Sequence, residues 1–234
     1  MPGQRPPLKY VIARLRAHYG APKRPVATDP FEMILWENVA YLVDDERRAK
    51  VFRRLKREAG TRPEAILETP IPTLAEIIRA GGMRPPMRAE KLHRAADLAL
   101  EVGLLRLRRL VRTAPAEAKK ILKRFPGVGD PLADRILCFA RGRPSLGPDS
   151  NALRVLVRLG FGRDDDNYGR KYRSAAEAVQ PELPADFPWL IAAHQLLRRH
   201  GQELCKRAAP LCEACPLATR CRWYLERQPR SLRA

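Results

Sequence analysis

Apolar residues recur at intervals of three and four in segment after segment of this chain, and that spacing confines it to helices. The pattern runs through LKYVIARLRAHYG, FEMILWENVAYLV, AEKLHRAADLALEVGLL, PAEAKKILKRF, PLADRILCFARG, NALRVLVRLG and FPWLIAAHQLLRRHG, and alternating runs suited to a half-buried strand are essentially absent. The 22 prolines and 14 glycines gather between these segments, at YGAPKRPVATDP, TPIPT, AGGMRPP, RGRPSLGPD and VQPELPADFP. Proline lacks the amide a helix interior needs and glycine closes helix ends, so these stretches read as stops and starts. The expectation is an all-α protein of about nine to eleven helices.

With 234 residues the chain forms one large domain or two small ones. Lys and Arg outnumber Asp and Glu 45 to 26, for a formal net charge of +19. Such a field favours polyanions, nucleic acid first and an anionic membrane second. The cations alternate with apolar residues, as in LLRLRRLVR from Leu104 to Arg112, which marks exposed helix faces rather than a charged tail. No apolar run approaches the ~20 residues a bilayer span needs, and the first residues lack the apolar core of a signal peptide. A soluble protein of the cytoplasm is expected.

Four of the five cysteines, Cys205, Cys212, Cys215 and Cys221, stand with six, two and five residues between them. Confined to seventeen residues at one end of a large helical chain, they form a ligand array rather than a disulfide framework. Four thiolates suit tetrahedral zinc or a 4Fe–4S cube, and the spacing alone does not separate the two. The long first gap favours a loop wrapped round the bulkier group. Lys206, Arg207, Arg220 and Arg222 lie among the ligands, where they either face a phosphate backbone or offset the charge of the thiolates. The fifth cysteine, Cys138, sits in the apolar RILCFA and reads as a buried, inert thiol.

Between two helical segments lies FPGVGDP, from Phe125 to Pro131. Gly127 and Gly129 permit positive φ and leave backbone amides uncovered. Together with the start of the following helix they make an anion site, or else an ordinary turn closed by a glycine. Twenty residues beyond Gly129, Asp149 precedes another helical run in GPDSNALRV. It is a good N-cap, as Ser150 and Asn151 also are, and the preceding Gly-Pro fixes its carboxylate in place.

FPGVG, then PDSNALRV, then Cys-x6-Cys-x2-Cys-x5-Cys, in this order and at these separations, resemble the helix-hairpin-helix DNA glycosylases of the endonuclease III and adenine glycosylase superfamily. DPFEMIL, Asp29 to Leu35, resembles that family's entry into its six-helix domain, so the resemblance spans about residues 29 to 223. It implies a bilobal protein with a six-helix domain over 29–143 and a cluster domain built from 1–28 and 144–234. A DNA-binding cleft is expected between the lobes, the chain acting as a monomer on double-stranded DNA in the nucleoid. The implied activity is base excision: one nucleotide is flipped out and its N-glycosidic bond cut. By position Asp149 matches the catalytic aspartate, and the four cysteines match the ligands of a 4Fe–4S cluster. Gly127, Val128, Gly129, Lys206, Arg207 and Arg220 are then the expected DNA contacts.

The sequence also departs from the family. Bifunctional members carry a Schiff-base lysine two residues after the second hairpin glycine, where this chain has Pro131. Asp130 is expected to cap the next helix and Pro131 to open it. A monofunctional glycosylase using water is therefore expected. The alternatives are a bifunctional lyase with another amine and a non-catalytic binder of DNA structure. Glu37 matches by position a glutamate of the adenine and some thymine glycosylases; it is either a proton donor to the leaving base or a solvated helix residue. Where relatives have a glutamine-rich stretch, this chain has Tyr41, Leu42, Val43, Asp44 and Asp45. Trp36, Tyr41 and Leu42 are candidates to stack on or wedge apart bases, with core packing the other role for the aromatics. The chain ends thirteen residues after Cys221, which favours uracil, mismatched thymine or an alkylated purine over adenine opposite oxidised guanine.

Overall fold

Proline and acidic caps set most helix starts. The structure is a computed structural model that describes residues 5–228. Thirteen α-helices follow one another among these residues: α1 (Leu8–Tyr19), α2 (Pro30–Asn38), α3 (Asp45–Glu58), α4 (Pro63–Glu68), α5 (Ile71–Ile77), α6 (Pro85–Val102), α7 (Leu104–Thr113), α8 (Pro115–Leu122), α9 (Asp130–Phe139), α10 (Ser150–Leu159), α11 (Tyr168–Val179), α12 (Phe187–Glu203) and α13 (Arg222–Leu225). Proline occupies the first or second position of α2, α4, α5, α6, α8, α9 and α12, where its missing amide costs nothing. Asp29, Asp44, Asp149, Asn167 and Asp186 cap α2, α3, α10, α11 and α12 through their side chains.

The all-α architecture is borne out, and among the described residues the backbone forms no strand beyond an isolated bridge between Tyr41 and Gly82. The helix number exceeds the expectation for two local reasons. Gly103 takes φ +79° and divides AEKLHRAADLALEVGLL into α6 and α7. TPIPT is not a plain stop, because Pro72 lies in the first turn of α5. No described helix is long and apolar enough to cross a membrane.

Contacts divide the chain into two units, one over Pro25–Arg143 and the other from the residues up to Arg24 and from Pro144 onward. In the first unit α6 is the central helix, packed on α2, α4, α5 and α7. Its buried face is mostly small, Ala89, Ala95, Ala96 and Ala99 around Leu92, which lets neighbouring helices approach closely. Phe31, Ile34 and Leu35 of α2 and Phe52 of α3 are fully buried in the same unit; each contributes about 1.5–3 kcal/mol from burial.

In the second unit α10 packs along α12, and α1 closes on α12 from the other end of the chain. Leu8, Val11, Ile12 and Leu15 of α1 join Leu156, Leu159, Phe161, Leu196 and Leu197 in one core. Cys221 belongs to that core and Cys205 and Cys215 pack against it, so the loop after α12 is anchored on the same apolar mass as the helices.

Candidate functional site

Asp149 is the best-defined polar group of the second unit. Its Oδ1 accepts the amides of Asn151 at 3.0 Å and Ala152 at 2.9 Å, as an N-cap should. Its Oδ2 takes the guanidinium of Arg198, 49 residues later on α12. Side-chain exposures of 12% for Asp149 and 20% for Arg198 leave the pair largely shielded from water. A carboxylate held on both oxygens is a fixed negative charge at the positive end of α10.

The four cysteines Cys205, Cys212, Cys215 and Cys221 line one apolar pocket with Val155, Leu159, Leu204, Leu217 and Trp223. Donors reach the sulfurs from several sides. Arg158 Nη1 lies 3.3 Å from Cys205 Sγ, the Leu217 amide 3.4 Å from Cys215 Sγ, and His200 Nε2 3.5 Å from Cys215 Sγ. Burial pushes the Cys215 thiol up to about 11 and raises Cys212 and Cys221 as well. Such sulfurs become thiolates when a metal centre compensates their charge, and the donors around them suit that form. Four sulfurs on one apolar pocket, ringed by N–H donors, fit a thiolate-held metal centre.

His200 is buried at 1% exposure and is held low, near 4, first by burial and then by His18. On its other side Nδ1 meets the Tyr19 hydroxyl at 3.0 Å. Arg154 and Arg158 of α10 fasten the loop by its backbone: Arg154 donates to Cys205 O at 2.7 Å and Gly201 O at 2.6 Å, and Arg158 to Lys206 O at 2.8 Å. Of the expected loop contacts, Lys206, Arg207 and Arg220 are exposed, and the Arg220 guanidinium also lies over the Tyr10 ring at 4.7 Å. Cys138 is buried within α9.

In the first unit the hairpin turns through Gly127, whose φ is +79°. Gly129 instead takes extended backbone and is itself the N-cap of α9. The Val128 amide donates to Phe125 O at 3.1 Å, and among the described residues no backbone carbonyl takes the amides of Gly127 or Gly129. Those two amides are the ones an anion can claim. Asn38, buried at the end of α2, holds the turn through Nδ2, which donates to Pro126 O at 3.0 Å and to Ile34 O at 2.9 Å. A Cβ on Gly127 would sit 3.2 Å from Asn38 Oδ1.

One expectation is corrected here: the side chain of Asp130 does not cap α9. It is drawn away by Lys123 at 3.0 Å and Lys119 at 3.4 Å. Burial pushes its carboxyl up, but the two ammonium groups outweigh that and hold it below the usual range. Lys119 also pairs with the buried Asp134 at 2.8 Å.

Glu37 accepts Arg135 Nη2 at 2.7 Å and lies 3.7 Å from Arg48 Nη1, so it joins α2 to α9 and α3. Trp36 packs edge-on against Phe52 with Arg48 over its ring. Tyr41 and Leu42 stand out from the surface at 57% and 75% exposure, and Leu42 holds a positive φ of 57°. Met83, 56% exposed, follows the bridge partner Gly82 on the neighbouring loop. Both loops are clasped by one buried side chain, Arg88 of α6. Its guanidinium donates to Val39 O, to Ile78 O at 3.1 Å, to Gly82 O at 2.9 Å and to Met83 O at 2.9 Å.

Arg88, Arg198, Asn38 and His200 escaped the sequence analysis. Each makes its decisive bonds to groups distant in the sequence, as Asn38 does to Pro126 and Arg88 to Val39, so no local pattern marks it.

No family model matches the chain. Endonuclease III of Thermotoga maritima is 25% identical over 206 residues, which cover 88% of this chain and 89% of the relative. Among solved structures, an endonuclease III trapped as a covalent intermediate with DNA superimposes with a TM-score of 0.71 at 25% identity, over 94% of this chain and 96% of that one. A thermostable thymine-DNA glycosylase shares the fold at a TM-score of 0.71 and 21% identity, over 94% and 97% of the two chains.

Proposed function

We propose, from the chain's place in the endonuclease III superfamily of helix-hairpin-helix glycosylases, that it is a monofunctional glycosylase of base excision repair, acting as a monomer on double-stranded DNA. The observation that carries this is Asp149, fixed on both oxygens at the N-terminus of α10. When the bond from the sugar to the base breaks, its electron pair leaves with the base and positive charge builds on the sugar. A carboxylate already in place stabilises that charge without reorganising. Water then adds to the sugar carbon, and the proton it loses passes through solvent to the departed base anion. Proton donation by Glu37 to the leaving base would require its double ion pair to open first, so the arrangement supports Asp149 above Glu37.

The absence of a lyase nucleophile has support beyond Pro131. Of the three lysines that closely precede the hairpin, Lys119 and Lys123 are engaged as cations with Asp130 and Asp134, and an ion-paired ammonium is a poor nucleophile; Lys120 stands exposed on the same helix. The uncovered amides of Gly127 and Gly129 support a phosphate contact by the hairpin. Tyr41 and Leu42, apolar and exposed, are the proposed wedge.

A screen of duplexes carrying uracil, thymine opposite guanine, oxidised pyrimidines or alkylated purines tests the reading. Free base should be released, the abasic strand should stay uncut, and borohydride should trap no protein–DNA adduct. A robust adduct would establish an amine nucleophile and a lyase. Release of no base from any duplex would point instead to a binder of DNA structure.

Cys205, Cys212, Cys215 and Cys221 are proposed to hold a 4Fe–4S cluster, whose chemistry at this place is to cross-link the loop after α12. Their shared apolar pocket and the N–H donors around the sulfurs support a thiolate-held centre, and the long gap between Cys205 and Cys212 favours the bulkier cluster. Anaerobically purified protein should absorb broadly near ~400 nm and carry about four irons; stoichiometric zinc without iron would overturn the assignment.

A further inference from the structure

We infer that Arg198 is a positioning residue for Asp149, one that locks its second oxygen so that the acid serves as a fixed counter-charge. The inference rests on Asp149 being the catalytic carboxylate. The N-cap bonds occupy Oδ1 alone and by themselves leave Oδ2 unfixed. Arg198 closes that oxygen. It arrives from a different helix, and α10 and α12 are the most extensively packed helix pair of their unit, so the pair is held by a rigid frame.

With both oxygens engaged, the carboxylate is held in one orientation, as a preorganised electrostatic contact requires. Nearby, His194 Nδ1 of α12 lies 3.2 Å from Leu146 O, and Arg154 of α10 donates to Asn151 Oδ1 at 2.9 Å. Arg198 brings a full positive charge to the carboxylate.

The test needs no knowledge of the excised base. Two duplexes are compared by binding at pH 7: one with a neutral tetrahydrofuran abasic site, the other with a pyrrolidine abasic site, a secondary amine protonated at that pH. A counter-charge held in place favours the cationic duplex by about tenfold or more. In R198M, and in R198Q, which lacks the charge, that preference should fall by about threefold or more while binding to the neutral duplex changes little. R198K, which keeps a cationic donor, should retain the preference. An undiminished preference in R198M and R198Q overturns the inference, as does an equal loss in R198K, because lost packing would then explain it. If R198M does not fold, R198Q and R198K still carry the comparison. D149N should show no cation preference; if it keeps the preference, it is the assignment of Asp149 that fails.

Discussion

Asp149→Asn should lower base excision by about 10²–10³-fold, the loss that follows removal of one preorganised electrostatic contact, while binding to an abasic-site duplex changes only a few-fold. The substitution is selective because asparagine caps a helix as well as aspartate does, so the start of α10 and its bonds to Asn151 and Ala152 persist. What is lost is the charge. Arg198 loses its anionic partner in the same step, and a modest fall in thermal stability should accompany the loss of activity. Single-turnover release of base separates the two effects, since it reads the bond-breaking step on protein already bound. Excision at an undiminished rate would remove Asp149 from the mechanism.

The second large effect is on stability. Arg88→Met should destabilise the Pro25–Arg143 unit by about 3 kcal/mol or more, through buried carbonyls left without donors at about 1–3 kcal/mol each. Methionine fills much of the volume of the arginine stem, so the loss reports the hydrogen bonds rather than a cavity. Arg88 is 4% exposed and serves four carbonyls from three backbone segments. Burial and the neighbouring charge of Arg48 pull its pKa down from the usual arginine value, a cost those carbonyls offset. Calorimetry should show the transition lower by roughly 6–12 °C, and proteolysis should become faster near residues 41–44 and 79–84. By contrast Leu42→Ala, at an exposed site, should leave the transition within about 0.5 kcal/mol of its original position. An unchanged transition in the Arg88 variant would show that the loops hold themselves.

The local parts of the site were visible in the sequence. Gly-Pro-Asp before a helical run marks Asp149 as a cap, and a cap bonds only to its own first turn. Gly127 was recognisable because a positive φ leaves few other residues suitable. The cysteine array announced itself by density. What bonds across the fold was hidden: Arg198 reads as one more cation in QLLRRHG until α12 is laid along α10, and Arg88 as another in PPMRAEK until two loops close on it. Asp130 shows the opposite failure, where a plausible local cap lost to two lysines of the preceding helix. Leu42 was nameable as a candidate wedge, but its left-handed backbone follows from the bridge between Tyr41 and Gly82 rather than from any signal at position 42.

The way α1 returns to pack on α12 also sets an order of events during synthesis. Residues 25–143 form a continuous unit whose partners are complete before the ribosome reaches Cys205. The apolar face of α1, by contrast, emerges ahead of that unit and meets Leu196 and Leu197 only after it has been made. For most of that time Leu8, Val11, Ile12 and Leu15 have no final partner, and such a surface invites premature association. Lys9, Arg14 and Arg16 on the same helix keep that waiting segment charged, so the nascent chain carries its own protection until α10 and α12 arrive.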